Sequence, residues 1–418
     1  MIFQQLEKYF AKKKYKNIIE AIYWNTLFRK LTGLTVIEIR SVGGTLEINF
    51  STVGFLSFLW YATLFSYCAC VSYTEDQSIV RMMFDTKLKQ YGDLFEKLST
   101  VIFVFYVMIK VAFLLSNDLT FAHLNCEVDK CITDMRVVGV SVNYVKHTIS
   151  SIKMVIAQEI MWLFRVFSIF GILHGLDTSI PLEKIFQGAF SDALALGLAT
   201  AYCYYLFIWK ERYGNLNDVL INIKQHKLWE QTFFVRVKGS DSGKATQLQD
   251  KFICEKIRMC ACLNTKLYDG IQHINRKFGI ALAVTIFMCI NYGILYMFYF
   301  MEATAAGLFH DIERYLRLLV FIFWQIGYCA FIFFVIVYYT EDALQESKKT
   351  SLILHEIIQN DFSPAVNTEA MQFSVQLMHQ VPVLKAHGLY EINYAILYEA
   401  SKFIMQFLVI LLQFVDSK

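Results

Sequence analysis

Proline is nearly absent. The chain of 418 residues has three, Pro181, Pro364 and Pro382. All lie outside the long apolar runs, so the predicted spanning helices should lack proline kinks. Enzymatic signatures are missing too: there is no Gly-rich phosphate loop, His-Glu-x-x-His helix or Gly-x-Ser-x-Gly elbow. The nine histidines are scattered, and His355 reads as a packing or solvated residue. No enzyme is expected, and no cofactor. Ten cysteines form no disulfide framework. Cys68, Cys70, Cys203, Cys289 and Cys329 sit in apolar runs, where thiols pack as small hydrophobes. Cys126 and Cys131 share a loop assigned to the cytoplasm and are expected to be reduced. Cys254, Cys260 and Cys262 lack paired zinc-ligand spacing, so no metal is expected. A net charge of +3 is too small to suggest a nucleic-acid partner. Residues 1–48 carry Lys8, Lys12, Lys13, Lys14, Lys16, Arg29, Lys30 and Arg40, without the apolar core and cleavage site of a signal peptide. The first apolar helix is expected to serve as the membrane signal and stay in the protein. Repeats and low-complexity tracts are not evident.

Apolar and aromatic residues are abundant. The hydrophobic fraction is 56%, the mean hydropathy +0.42, and there are 37 Phe and 24 Tyr. A spanning helix needs about 20 apolar residues to cross roughly 30 Å of hydrocarbon. Runs of that kind lie near 50–73, 98–116, 154–174, 188–209, 278–301, 315–339 and 394–415. The last is preceded by an amphipathic stretch from about 386. The fold class expected is an all-α membrane protein with seven transmembrane helices. With the N-terminus cytoplasmic and the C-terminus extracellular, cytoplasmic segments hold about 28 Lys and Arg against about 8 on the other side. The segment 210–277 alone supplies 13 of them. The predicted organisation is a cytoplasmic segment 1–49, helices 1–4 over 50–209, and a cytoplasmic loop with helices over 210–277. Helices 5–6 follow over 278–339, then anchor helices over 340–393 and a last spanning helix over 394–418.

The cytoplasmic segments are more than linkers. Leu344, Ser347, Ser351, Leu354 and Ile358 recur at helical spacing, and 248–277 reads as an amphipathic helix leading into the fifth span. Lys238 to Gly243, KGSDSG, is the flexible point before it. Apolar faces in water need a partner, so these projecting helices are expected to pack into a cytoplasmic anchor domain.

Polar residues within spans mark cavities or helix partners, because charge in hydrocarbon is costly. The third span carries Gln158, Glu159 and Arg165; Asp192 opens the fourth; Asn291 and Gln325 sit mid-span in the fifth and sixth. Glu159 and Arg165 are six apart and do not share a helical face well, so each should face a cavity or another helix. Aromatic rings surround them: Trp162, Phe167, Tyr202, Tyr205, Tyr292, Tyr296, Tyr299, Trp324 and Tyr328. Taken singly, each ring reads better as an interfacial belt or helix packing. As a set they favour a small-molecule pocket between the third and sixth spans, open to the outside. The candidate ligand-binding residues are Glu159, Trp162, Arg165, Tyr202, Tyr292, Tyr296, Trp324, Gln325 and Tyr328.

The last span differs. Gln406 and Gln413 are seven apart and point to one side. With Val409, Ile410 and Phe414 they suit a helix lining a narrow pore, where apolar rings can gate by dewetting. Structural glue to a neighbouring helix explains the two amides equally well.

Residues 387–414, HGLYEINYAILYEASKFIMQFLVILLQF, resemble the closing signature of insect gustatory receptors, whose last helix ends close to Thr-Tyr-Leu-Val-Ile-Leu-Leu-Gln-Phe. Leu408, Val409, Ile410, Leu411, Leu412, Gln413 and Phe414 match, while Gln406 and Phe407 stand in place of Thr and Tyr. Gly388, Leu389, Asn393 and Tyr394, the stretch Ser347 to Glu356, and Asn275 with Phe278 and Gly279 are similar as well. The matched motifs cover about a quarter of the chain. The ending is not the Glu-Phe variant of the sugar receptors. The resemblance implies a ligand-gated non-selective cation channel in the plasma membrane of sensory neurons, opened by a bitter compound or a sugar. It implies a homotetramer, alone or with other receptor subunits, in contact with membrane lipid. Four last helices would surround one pore, with Gln413 and Phe414 at the outer gate and Asp416 just beyond. Two rivals remain at this point. A G-protein-coupled receptor needs the N-terminus outside, and neither an Asp-Arg-Tyr ending nor Asn-Pro-x-x-Tyr occurs where it should. Many secondary transporters show inverted repeats and Gly/Pro-broken helices, which this chain lacks.

Overall fold

The computed structural model describes residue 15 and residues 18–42, 45–74, 89–115, 119–137, 139–174, 181–225, 242–305, 312–360 and 362–416. The basic stretch 1–14 and most of the KGSDSG segment, 238–241, lie outside the described residues.

Two short helices, α1 (Ile18–Ala21) and α2 (Tyr23–Leu31), lead into a hairpin of β1 (Ile37–Val42) and β2 (Thr45–Phe50). The strands are antiparallel, with Ile37 opposite Phe50 and Val42 opposite Thr45. There follow α3 (Thr52–Thr74), α4 (Lys89–Ile109), α5 (Leu119–Asp134), α6 (Tyr144–His174) and α7 (Leu182–Lys224). Next come α8 (Ser242–Ala305), α9 (Ile312–Gln359) and α10 (Pro364–His379). A two-residue hairpin of β3 (Lys385–Ala386) and β4 (Tyr390–Glu391) precedes α11 (Tyr394–Asp416). The predicted all-α chain therefore also carries two small β-hairpins. The long loop expected over 117–153 contains α5.

Among the described residues, five helices are long and apolar enough to cross a bilayer: α3, α6, α7, α8 and α9. The other two predicted spans coincide with α4 and α11. Proline sits only at the margins, before α7, at the start of α10 and ahead of β3. One irregularity arises without it, a π-helical turn over Lys110–Leu115 that continues α4.

Length explains the architecture. At 1.5 Å per residue, the 48 residues of α9 extend about 70 Å and the 64 of α8 about 95 Å. Each is more than twice the thickness of a hydrocarbon core. The stretch 248–277 and the fifth span are thus one continuous helix, and α8, which starts at Ser242, absorbs the end of the expected flexible point. The projecting half of α9 packs along α7. Tyr202 and Thr340 hydroxyls meet at 2.8 Å, Lys210 donates to Asp342 at 2.7 Å, and Thr350 donates to Asn217 at 2.7 Å. Leu344, Ser347 and Leu354 are buried as their spacing suggests, and Ile358 is half-buried. Ser351 points outward, and Thr350 and Ile357 take the inner stripe instead.

Helix α7 is the hub, packed against α3, α4, α5, α6, α8 and α9. Its Trp209 indole crosses α8 at Gly270 and donates to the Leu267 carbonyl at 2.8 Å. A Cβ on Gly270 would fall 1.7 Å from that ring, so no larger residue fits. The β3–β4 hairpin docks on α8 through Asn275, which donates to the Val383 carbonyl at 2.7 Å and accepts from the Lys385 amide at 2.9 Å. At Gly279 a Cβ would stand 2.7 Å from the His387 nitrogen. Phe278, between them, stacks obliquely on Tyr202 and Tyr205.

Candidate functional site

A cavity of about 360 Å³ opens between α4, α6, α7, α8 and α9. Its polar wall is built on Arg165. The Arg165 Nε donates to Asp192 at 3.1 Å, one guanidinium nitrogen donates to the Gln325 amide oxygen, and the guanidinium carbon lies over the Tyr328 ring, 4.0 Å from its centroid. The Tyr328 hydroxyl donates to the Asp192 carbonyl at 3.2 Å. A guanidinium this buried needs a counter-charge, and Asp192 one helix away supplies it. Sequence spacing had set Glu159 and Arg165 apart, and the structure pairs neither with the other.

The aromatic wall is α8. Tyr292 and Tyr296 stand one turn apart with ring centroids at 6.2 Å, and the Tyr292 hydroxyl meets Thr100 at 2.7 Å. Of the nine predicted ligand residues, Arg165, Tyr292, Tyr296, Gln325 and Tyr328 line this cavity. Four do not. Trp162 stands behind the wall, donating to the Ala189 carbonyl at 2.7 Å. Tyr202 is buried lower down against Thr340 and Phe278. Trp324 lies edge-on to Phe164, and Glu159 accepts from neighbouring Gln158.

Two lining atoms are left without a hydrogen-bond partner among the described residues. They are Arg165 Nη1, a donor, and Gln187 Oε1, an acceptor, each on a side chain only 3% exposed. Buried polar atoms are nearly always satisfied, so an unpaired donor and acceptor in one cavity wall suit a ligand that supplies both. Sequence reading missed Gln187, Lys184 and Thr100. Gln187 lies at the start of α7, before the apolar run from 188, where an amide draws no notice.

Tyr296 also links the cavity to the last helix. It packs against a cluster of Ile294, Phe298, Leu318, Phe321, Ile322 and Leu408, with its ring 6.1 Å from that of Phe321. Helix α11 is otherwise poorly covered. Ala400 and Leu408 are buried and Ile404 half-buried, whereas Gln406, Val409, Ile410 and Gln413 are all exposed. These four fall at i, i+3, i+4 and i+7, on one face. Phe414 and Asp416 belong to the same helix, but their side chains lie outside the described ones.

Known proteins share the fold. Residues 25–418 match the family model of the 7tm Chemosensory receptor. Gustatory receptor 28b of Drosophila melanogaster is 20% identical over 432 residues, covering 99% of this chain and 89% of that protein. The insect olfactory receptor OR5 from Machilis hrabei superposes with a TM-score of 0.55 at 12% identity, over 95% of this chain and 99% of that one. Its complex with eugenol gives 0.57 at 11% identity, over 98% and 99%. The chain is a multi-pass membrane protein and belongs to the 7tm chemosensory receptor family, the insect chemoreceptors.

Proposed function

We propose that the chain is a gustatory receptor that works as a ligand-gated non-selective cation channel of the sensory-neuron plasma membrane. Seven spans, with the N-terminus inside, place the projecting halves of α8 and α9 in the cytoplasm, where most of the Lys and Arg lie. The observation that carries this reading is the uncovered face of α11. Glutamine amides exposed on an apolar spanning helix need a partner or water, and lipid offers neither. Four copies around an axis put Gln406 and Gln413 against water and make Val409 and Ile410 an apolar constriction. The anchor end supports assembly too: Met371, Val375 and Met378 of α10 form an exposed apolar stripe that other subunits would cover.

The cavity is the ligand site in this reading. Tyr292 and Tyr296 supply apolar area, while Arg165 Nη1 and Gln187 Oε1 select a small molecule bearing a hydroxyl, which both donates and accepts. Bitter phenols and sugars both qualify. The eugenol complex of the Machilis receptor shows that a related fold accepts such a molecule. Binding favours the open state through differential contacts. Tyr296 passes the change to Leu408 through the shared cluster, and the constriction widens.

The test is to express the chain alone, confirm surface delivery, and record whole-cell current during application of sugars and bitter phenols. A rapid cation current that survives block of G-protein signalling is the expected result. Responses that vanish with that block would overturn the channel in favour of a G-protein-coupled receptor. Counter-ion-coupled uptake without channel currents would replace it with a transporter.

A further inference from the structure

A second cavity, of about 140 Å³, lies between α1, α2, β1, α5, α6, α7 and α8. Two cations line it, Arg29 from α2 and Lys277 from α8. Lys277 is 8% exposed. Its Nζ donates to the Tyr205 hydroxyl at 3.1 Å and sits 5.2 Å and 4.7 Å from the Phe121 and Tyr205 ring centroids. Arg29 donates to the Leu34 carbonyl at 3.4 Å. Among the described residues neither cation meets a carboxylate. The carboxylate in the wall, Glu38, is already held by Lys30 and Arg40, each at 2.5 Å.

Among the described residues Lys277 shares this with the equally buried Lys184 and Lys256, whereas the buried arginines are paired. Arg165, Lys210, Arg212 and Lys224 each face an acid. A buried charge without a counter-charge is costly, and ring contacts offset only part of it. The rest of the wall is rich in hydroxyls, from Thr26, Ser151, Thr200 and Tyr204. Position adds a further constraint. Lys277 immediately precedes the fifth apolar run at 278, and Ser151 precedes the third at 154, so the cavity sits where the spans emerge at the projecting end.

We propose that this second cavity binds a phosphate group at the cytoplasmic face of the membrane, with Arg29 and Lys277 as its counter-charges. An Arg fork and a Lys point charge are the usual recognition pair for phosphate oxygens, and the hydroxyls complete the shell. A single water needs only about 10–15 Å³ of such space, so a phosphate fits with room for solvent. The phosphate then ties α2 to α8, the helix that carries Tyr292 and Tyr296. The source is an inner-leaflet lipid headgroup or a free anion, and both present the same chemistry. The cytoplasmic location rests on the orientation proposed above.

The test uses the purified full chain in detergent, where neither orientation nor channel activity matters. Tm is followed by tryptophan fluorescence while dioctanoyl phosphatidylinositol 4-phosphate, dioctanoyl phosphatidylcholine or inorganic phosphate is added. Ligand binding to the folded state raises Tm saturably. A rise with the phosphoinositide alone assigns a lipid headgroup, and a rise with inorganic phosphate as well assigns a free-anion site. Lys277→Gln and Arg29→Gln should each abolish the rise. Lys277→Arg should keep it, as should Arg317→Gln at the surface. No rise with any phosphate compound, or one that survives both Gln variants, overturns the site. If the Gln variants fail to fold, the absence or presence of the rise in wild type and Lys277→Arg still decides. Protease protection of an N-terminal tag separately reads the orientation, so an inverted topology and an empty cavity give different results.

Discussion

Helices α7 and α11 are both spanning-length apolar segments, yet they meet their surroundings in opposite ways. Helix α7 buries residues on every side, and the charge at its centre is matched by an acid. Arg212 Nε donates to Asp129 at 2.9 Å, and the same carboxylate accepts from the Tyr144 hydroxyl at 2.9 Å. Helix α11 buries little beyond Ala400 and Leu408, and its amides point away from its own subunit. The Arg212 ion pair on α7 therefore serves folding of one chain. A polar residue on α11 serves a contact that one chain cannot make. Substitutions on the two helices should separate along that line.

The largest effect is expected at Arg212. Arg212→Leu leaves Asp129 buried with only Tyr144 beside it, and breaking one partner from a buried pair costs about 3–5 kcal/mol. Surface delivery and Tm should both fall sharply. A variant as stable as wild type would show that α7 is not the structural hub described. By contrast, Gln413→Ala should leave Tm and surface delivery near wild type and alter single-channel conductance or cation selectivity. Unchanged single-channel records would remove Gln413 from the pore wall and return the amide to a role in helix packing.

Why α7 and α11 look alike in sequence also explains what could be read from it. Spanning length, the loop charge bias and the 3.6-residue period located the long helices, because each is a property of a contiguous segment. The Arg165, Gln325 and Tyr328 constellation was nominated because polar and aromatic residues are rare enough mid-span to stand out. The pairing of Arg165 with Asp192 was not legible, since it depends on the rotation of α6 against α7. The same uncertainty drew Trp162 and Tyr202 into the predicted ligand set, although their rings face Ala189 and Thr340 instead. The β1–β2 hairpin had a usable signal. Two β-rich runs flank Gly43 and Gly44, a spacing that favours a tight hairpin. On α11 the one-sided spacing of Gln406 and Gln413 was legible, whereas what covers that face was not, because a pore-lining amide and one that bonds a neighbouring helix have the same spacing.

The cavity offers an intermediate effect. Gln187→Met removes the unpaired acceptor while roughly keeping volume. Loss of one net hydrogen bond of about 1 kcal/mol predicts a several-fold rise in the half-maximal concentration for hydroxyl-bearing ligands. Methyl ethers of the same ligands should be unaffected by the change. Equal shifts for both would mean that Gln187 shapes the cavity without contacting the hydroxyl.

The smallest effect is expected where α5 meets the projecting half of α8. Lys266 donates to Glu127 at 2.8 Å, and that bond holds the Glu127 carboxyl below its ordinary value of 4.5. A depressed folded-state value means the pair contributes stability above about pH 4.5 and loses it as pH falls through the folded value. Glu127 is exposed and Lys266 half-buried, so the contribution at neutral pH should be about 0.2–1 kcal/mol and weaken with salt. Glu127→Gln should lower Tm slightly at pH 7, and the gap to wild type should close as pH falls from about 4.5 through the lower folded-state value. A gap that persists at low pH would mean Glu127 acts through packing. A gap as large as that of Arg212→Leu would erase the distinction between buried and surface pairs on which the comparison of helices rests.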